Sequence, residues 1–227
     1  MTTANYEIKP FFLDSELGQL FAMYYSPDSV NTSQCIIHIP AFAEEMNKSR
    51  RMVALQASHF AEQGYSVLLF DLWGTGESQG EFSDATWSIW IENIKMAIKW
   101  VDSLGIKEVS LWGVRVGVLL ALDFLQQSDF KVNHLICWQP VLNGETFIMQ
   151  FLRLRVAAAM MDKNAPQEKT ADLKKRLLEG TSIEVAGYLL NPGLVNPMMA
   201  IRAKQFNLKN IKRCHVFELV MGSELNS

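Results

Sequence analysis

The run Val109-Ser-Leu-Trp-Gly-Val-Arg-Val-Gly117, followed at once by VLLALDFL, constrains the fold of this chain more than any other feature. An apolar strand enters it and an apolar helix leaves it. Two glycines, Gly113 and Gly117, flank a central Arg115. A strand that turns this abruptly into a helix forces its central residue into a sparsely populated backbone conformation, with neighbouring backbone pressed close. Glycine is the residue that tolerates such an approach.

The same order recurs along the chain. Short apolar runs at 34–39, 65–70, 108–112, 132–138 and 211–220 alternate with segments of helical period. That alternation is the pattern of a largely parallel sheet covered by helices. The clearest helix spans 86–104, where Trp87, Trp90, Ile91, Ile94, Ile98, Val101 and Leu104 fall on one stripe. Ser83 and Asp84 are its expected N-cap residues and Gly105 its stop. Gln19–Tyr25 and the segment before it read as an antiparallel pair. From Gly144 to Pro197 the strand signal disappears, and the stretch reads as several helices, with a helix over 194–203 returning to the core. The expected fold is therefore α/β: a mostly parallel central sheet flanked by helices, with a core of 1–143 and 198–227 and a helical cap insertion over 144–197.

Net charge is −3, which argues against a nucleic-acid partner, since that calls for a basic face. The longest apolar-rich stretch, FIMQFLRLRVAAAMM, is shorter than the roughly 20 residues of a membrane span and carries two arginines. The N-terminus lacks a basic region followed by an apolar run. The expectation is a soluble, cytoplasmic protein. Cys35, Cys137 and Cys214 have no metal-ligand spacing, and each lies in an apolar run, so buried reduced thiols are expected. No pair of histidines has metal-ligand spacing with a carboxylate, and neither a metal nor a cofactor is expected.

Gly113, Arg115 and Gly117 have the spacing of the G-x-S-x-G nucleophile elbow, with arginine where the serine stands. An α/β-hydrolase-like fold is the expectation. Arginine offers donors and no lone pair for attack, so Ser-His-Asp chemistry is not expected here. A cation also sits poorly at a helix N-terminus, by about 0.3–1 kcal/mol. Two readings offset that cost, and they are compatible. In one, Arg115 pairs with a nearby carboxylate from Glu44, Glu45, Asp71 or Glu77. In the other, Arg115 and the helix N–H groups hold an anionic ligand group.

The chain resembles the α/β-hydrolase-like family called exosortase A system-associated hydrolase 2. The resemblance rests on HIPAFAEEMNKSRRM (38–52), LLFDLWGTGESQGEFSDATW (68–87), LWGVRVGVLLALDF (111–124), WQPVLNGETFIMQFLRLRVAAAM (138–160) and VAGYLLNP (185–192). Arginine at the elbow looks like that family's own form of the motif. The resemblance implies a setting in exopolysaccharide production and surface sorting, with proteins of such loci as partners. In α/β-hydrolases the loop after an early strand supplies an oxyanion-hole N–H. Here it would come from Ala41 or Phe42, and the second from Val116. Asp71-Leu-Trp-Gly-Thr-Gly-Glu-Ser78 resembles the fold's D-x-x-G-x-G-x-S turn. Glu224 stands in the place of the triad acid. The triad histidine would follow one more strand, and no histidine follows His215 before Ser227.

Other side chains enter as candidates. His38 lies near the oxyanion-type loop and is expected either in the core or facing the pocket. Ser110 is expected to point into the core. Arg153 and Arg155, two apart on a helix, face different ways, and Arg153 is a candidate to line a cavity beneath the cap. One of Arg50 and Arg51 is a candidate to join Arg115. Three functions stay open: a protein that binds an anionic acyl or lipid-like ligand, a hydrolase or acyl transferase with a non-standard mechanism that uses Arg115 to stabilise an oxyanion, and a non-catalytic interaction scaffold.

Overall fold

A computed structural model of the chain describes residues 6–28, 33–161 and 167–219. Its elements in chain order are β1 (Tyr6–Asp14), β2 (Gln19–Pro27), β3 (Gln34–Ile39), α1 (Glu44–Glu62), β4 (Ser66–Phe70), α2 (Trp87–Ser103), β5 (Glu108–Val114), α3 (Val116–Gln127), β6 (Val132–Trp138), α4 (Gly144–Met161), α5 (Thr170–Leu178), β7 (Ile183–Val185), β8 (Tyr188–Leu190), α6 (Pro192–Ala200) and β9 (Ile211–Phe217). The main sheet has the order β1-β2-β4-β3-β5-β6-β9. The β1–β2 and β2–β4 pairings are antiparallel, and every other pairing in it is parallel. The expected α/β architecture is thus present.

The central strands are apolar because they are covered on both faces, as parallel strands must be. Residues 35–39 of β3 and 109–114 of β5 are all buried. One face of the sheet packs against α2 and α3 in the larger core, with Ile37, Ile94, Leu111 and Leu119 fully buried. The other face packs against α1, through Val53, Ala57 and Ala61 on the helix and Ile36, Trp112 and Val114 on the sheet. Truncating a leucine such as Leu119 to alanine in a core of this kind costs about 2–5 kcal/mol.

Residues 144–200 pack as a unit of α4, α5, a hairpin and α6 around Ile148, Leu152, Leu173, Leu177, Leu194 and Met198. Ion pairs reinforce it. Glu145 on α4 bridges Lys174 on α5 and Arg202 beyond α6. Glu168 accepts from Arg155 (2.6 Å) and Arg176 (2.8 Å).

Four local expectations need correction. The 144–197 stretch is not all helix: β7 and β8 form an antiparallel hairpin there. Ala186 (φ 51°) and Gly187 (φ 85°) between them carry the two positive φ values of a type I′ turn. Strands of three residues are too short to print an alternating pattern. Helix α2 is capped by Thr86, whose Oγ1 accepts from the Ile89 amide at 3.2 Å, while Ser83 and Asp84 lie in a 3₁₀ turn upstream. The 194–203 helix is α6, capped by Asn191 and ended at Ala200. Cys214 is exposed because β9 lies at the outer edge of the sheet. Among the described residues no helix is long and apolar enough to cross a membrane.

Candidate functional site

The turn between β5 and α3 places Arg115 at φ 55°, ψ −116°, in the left-handed half of backbone space. A non-glycine residue held there costs on the order of 1–3 kcal/mol and needs compensation. Its backbone supplies some. The Arg115 amide donates to Trp138 O at 2.9 Å, and its carbonyl accepts from Val118 N (3.2 Å) and Val141 N (3.1 Å). The two glycines are steric necessities. A Cβ on Gly117 would collide with the carbonyl oxygens of Ile39 and Pro40, and one on Gly113 would lie 2.6 Å from Val118 N. The start of α3 is therefore wedged between the ends of β3 and β5, and the turn has no room to relax.

The Arg115 side chain reaches sideways. Nε donates to Glu45 Oε1 at 3.1 Å and Nη1 to the Gln139 carbonyl at 3.2 Å. Glu45 stands in the first turn of α1, whose N-cap Ala43 is itself strained at φ 50°, ψ −128°. Of the four carboxylates considered from sequence, the partner is Glu45. Asp71 instead accepts from Arg50 Nη2 (2.8 Å) and the Glu77 amide (3.0 Å). Glu44 accepts from Asn47 and Tyr188. Arg50 is thus committed to Asp71 and does not join Arg115. The Arg115–Glu45 pair is about a third exposed on each side (34% and 36%), so it contributes only about 0.2–1 kcal/mol. Glu45 Oε2 is buried and, among the described residues, receives no hydrogen bond.

Around this pair stand the backbone donors considered for an oxyanion. Ala41, Phe42 and Val116 are all buried. Among the described residues the amides of Phe42 and Val116 have no acceptor. The Phe42 ring is boxed edge-to-face by Phe82 (5.6 Å), Trp90 (6.0 Å) and, from α4, Phe147 (5.6 Å) and Phe151 (5.3 Å). Such contacts contribute about 0.5–1.5 kcal/mol each beyond burial. Helix α4 thereby closes over the loop that carries the candidate donors.

Other candidates lie elsewhere. His38 is buried on the α1 side of the sheet, bonded through Nδ1 to Trp112 O (3.1 Å) and packed on the Trp112 ring. It lines a cavity of about 160 Å³ with Arg50 and Asp71, away from the elbow. The odd residues of β3 face α2 and α3, so an even-numbered residue such as His38 faces α1. Burial holds its pKa down to about 4, which keeps the ring neutral. Arg153 is exposed on the outer face of α4 and does not line a space beneath it. Arg155 is the one turned inward, to Glu168 and the Glu184 carbonyl. Glu224 lies outside the described residues. Ser110 does not point into the α2–α3 core. It sits on the wall of a groove of about 1170 Å³ on the α1 side of the sheet, beside His134 and His215. Sequence reasoning missed that groove and the role of Gln139. The even parity shared by Ser110, Trp112 and Val114 was the available signal. Among the described residues no group of three or more His, Cys, Asp or Glu side chains is arranged to hold a metal.

A protein-family model described as Hydrolase_4, serine aminopeptidase, S33, matches residues 35–215. Among solved structures, ferulic-acid-bound Est1E from Butyrivibrio proteoclasticus is 19% identical over 91% of this chain and 88% of its own, with a TM-score of 0.63. An α/β serine hydrolase homologue from Coxiella burnetii is 18% identical over 92% of this chain and 86% of its own, with a TM-score of 0.54. At that identity both are evidence of the fold alone. No curated protein matches the chain.

Proposed function

We propose that this chain, which belongs to the S33 serine aminopeptidase family of hydrolases, uses its elbow to hold an anion and not to attack a carbonyl. The observation that carries the proposal is Arg115 at φ 55°, standing where the G-x-S-x-G motif has its serine and already gripping the carboxylate of Glu45. That internal pair has the chemistry a bound carboxylate or phosphate would have. Among the described residues Nη2 and one N–H of Nη1 have no acceptor, and neither do the amides of Phe42 and Val116. A ligand anion that takes two charge-assisted hydrogen bonds gains about 1.5–3 kcal/mol from each, before the cost of association, against at most about 1 kcal/mol for the Glu45 pair, which is about a third exposed.

The aromatic rings of Phe42, Phe147 and Phe151 beside the elbow are the apolar surface that an acyl or lipid-like tail would meet. The runs that resemble the exosortase-associated proteins are the ground for placing this role in exopolysaccharide or surface-sorting metabolism, in the cytoplasm. A second reading, a scaffold for partner proteins, is favoured by the closed aromatic box over the elbow.

Thermal-shift measurements on wild type and Arg115→Ala against decanoate, decanoyl thioester and lipid phosphates test the proposal. Stabilisation of the wild type by an anionic member of that panel, lost in the variant, is expected. No shift with any member would leave the scaffold reading in its place.

A further inference from the structure

The groove on the α1 side of the sheet carries a row of three polar side chains that the elbow reading does not use. Ser110, His134 and His215 all line it, between walls formed by Ile36, Ile136 and Phe60. Their order follows from register. Leu111 of β5 pairs with Leu135 of β6, which sets Ser110 beside His134 on the same face. Adjacent strands are about 4.8 Å apart, so the two side chains stand as neighbours on the wall of the groove. On the far side of His134, Ile136 of β6 pairs with His215 of β9. The His134 Nδ1 and His215 Nε2 atoms are 2.8 Å apart. The ring centroids are 5.1 Å apart with an interplanar angle of 24°, so the two nitrogens meet almost head-on along the line between nearly coplanar rings. That geometry is an N–H···N hydrogen bond and not a chelating pair.

We infer that Ser110, His134 and His215 form a second, serine-based acyl-transfer site in this groove, taking esters or thioesters of apolar acids. Ser110 is the nucleophile and His134 the general base. His215 is the positioning residue: its Nε2 accepts from His134 Nδ1–H, which fixes the tautomer that leaves Nε2 of His134 free to face Ser110. The Ser110 proton passes to His134 Nε2 as Oγ bonds to the substrate carbonyl carbon. The tetrahedral adduct then expels the alcohol or thiol, which takes that proton, and leaves acyl-Ser110. Water, giving a proton to the same nitrogen, attacks the acyl carbon. The ester bond to Ser110 breaks, Oγ recovers the proton, and the acid departs. Burial first, and then the neighbouring Arg213 and Lys212 cations, lower the pKa of His134, which favours the neutral form that a base requires. The Gln56 side chain on the same groove offers an amide donor for the oxyanion. This inference concerns a different face of the sheet and does not rest on the elbow reading.

The test combines p-nitrophenyl butyrate hydrolysis with fluorophosphonate labelling of the intact 227-residue chain, the modified serine being mapped by mass spectrometry. The expected result is slow turnover and a label on Ser110. Activity falls to background in Ser110→Ala and by about 100-fold or more in His134→Ala. His215→Ala loses about 10-fold, and His215→Gln, whose amide oxygen still accepts from Nδ1–H, recovers most of it. Absence of both turnover and label in wild type overturns the inference, as does a label on another serine or turnover that survives Ser110→Ala. Labelling of the wild type makes the result independent of how well any variant folds.

Discussion

Replacing Glu45 by glutamine separates an elbow that is merely neutralised from one that holds an exchangeable anion. The substitution is isosteric and removes the charge that Arg115 Nε now contacts at 3.1 Å. Because both side chains are about a third exposed, the lost pair is worth only about 0.2–1 kcal/mol, and in a chain of this size each kcal/mol moves the midpoint by about 2–4 °C. Glu45→Gln should therefore lower Tm by a few degrees at most. It also removes the internal competitor. If a ligand anion must displace Glu45 from Arg115, its binding should tighten by the same energy, up to about 5-fold. Calorimetric titration of wild type and Glu45→Gln with decanoate or octyl phosphate measures this directly. A variant that binds these anions more weakly than wild type, or that loses many degrees of stability, would refute the reasoning, because Glu45 would then be part of the binding surface or a keystone of the fold.

Gly117→Ala should be among the most damaging small substitutions, costing about 3 kcal/mol or more in urea denaturation, since its Cβ meets the immobile carbonyls of Ile39 and Pro40. His38, held at about 4 against an ordinary 6.5, stays neutral in the fold while the unfolded chain takes up a proton; its contribution is complete above about pH 6.5 and is lost on acidification towards pH 4, roughly 3 kcal/mol in all. Stability–pH curves should show that slope in wild type and lose it in His38→Gln. Iodoacetamide should modify Cys214 first, because it is exposed and the Cys137 thiol 4.0 Å away lowers its pKa to about 7, whereas Cys35 is buried and its pKa is raised by desolvation. Peptide mapping after timed alkylation checks the order.

The strand–helix alternation and the paired glycines at 113 and 117 made the α/β architecture legible, because both express backbone requirements that no neighbouring element can override. What escaped depended on direction and not on type. Ser110 lies in a strand apolar on both faces, so its run of residues does not say which face meets a helix and which meets a groove. His38 sits two positions before the oxyanion-type loop yet faces α1, a matter of parity along β3. Four carboxylates were candidate partners of Arg115, and the choice of Glu45 depends on the entry angle of α1, set by the unusual φ of Ala43. The β7–β8 hairpin was missed because three-residue strands carry no period, although Ala186-Gly187 was a turn signal in hindsight.

The measurement closest to the central claim is a ¹H–¹⁵N NMR titration of the protein with decanoate, following the Arg115 Nε–H and the Phe42 and Val116 amides. The elbow reading predicts that these three signals shift together and saturate with one dissociation constant, as the ligand anion takes the place of Glu45 at the guanidinium. Signals that stay fixed while decanoate shifts resonances elsewhere would contradict it, and would mean that the Arg115–Glu45 pair is a structural clasp and not a binding site.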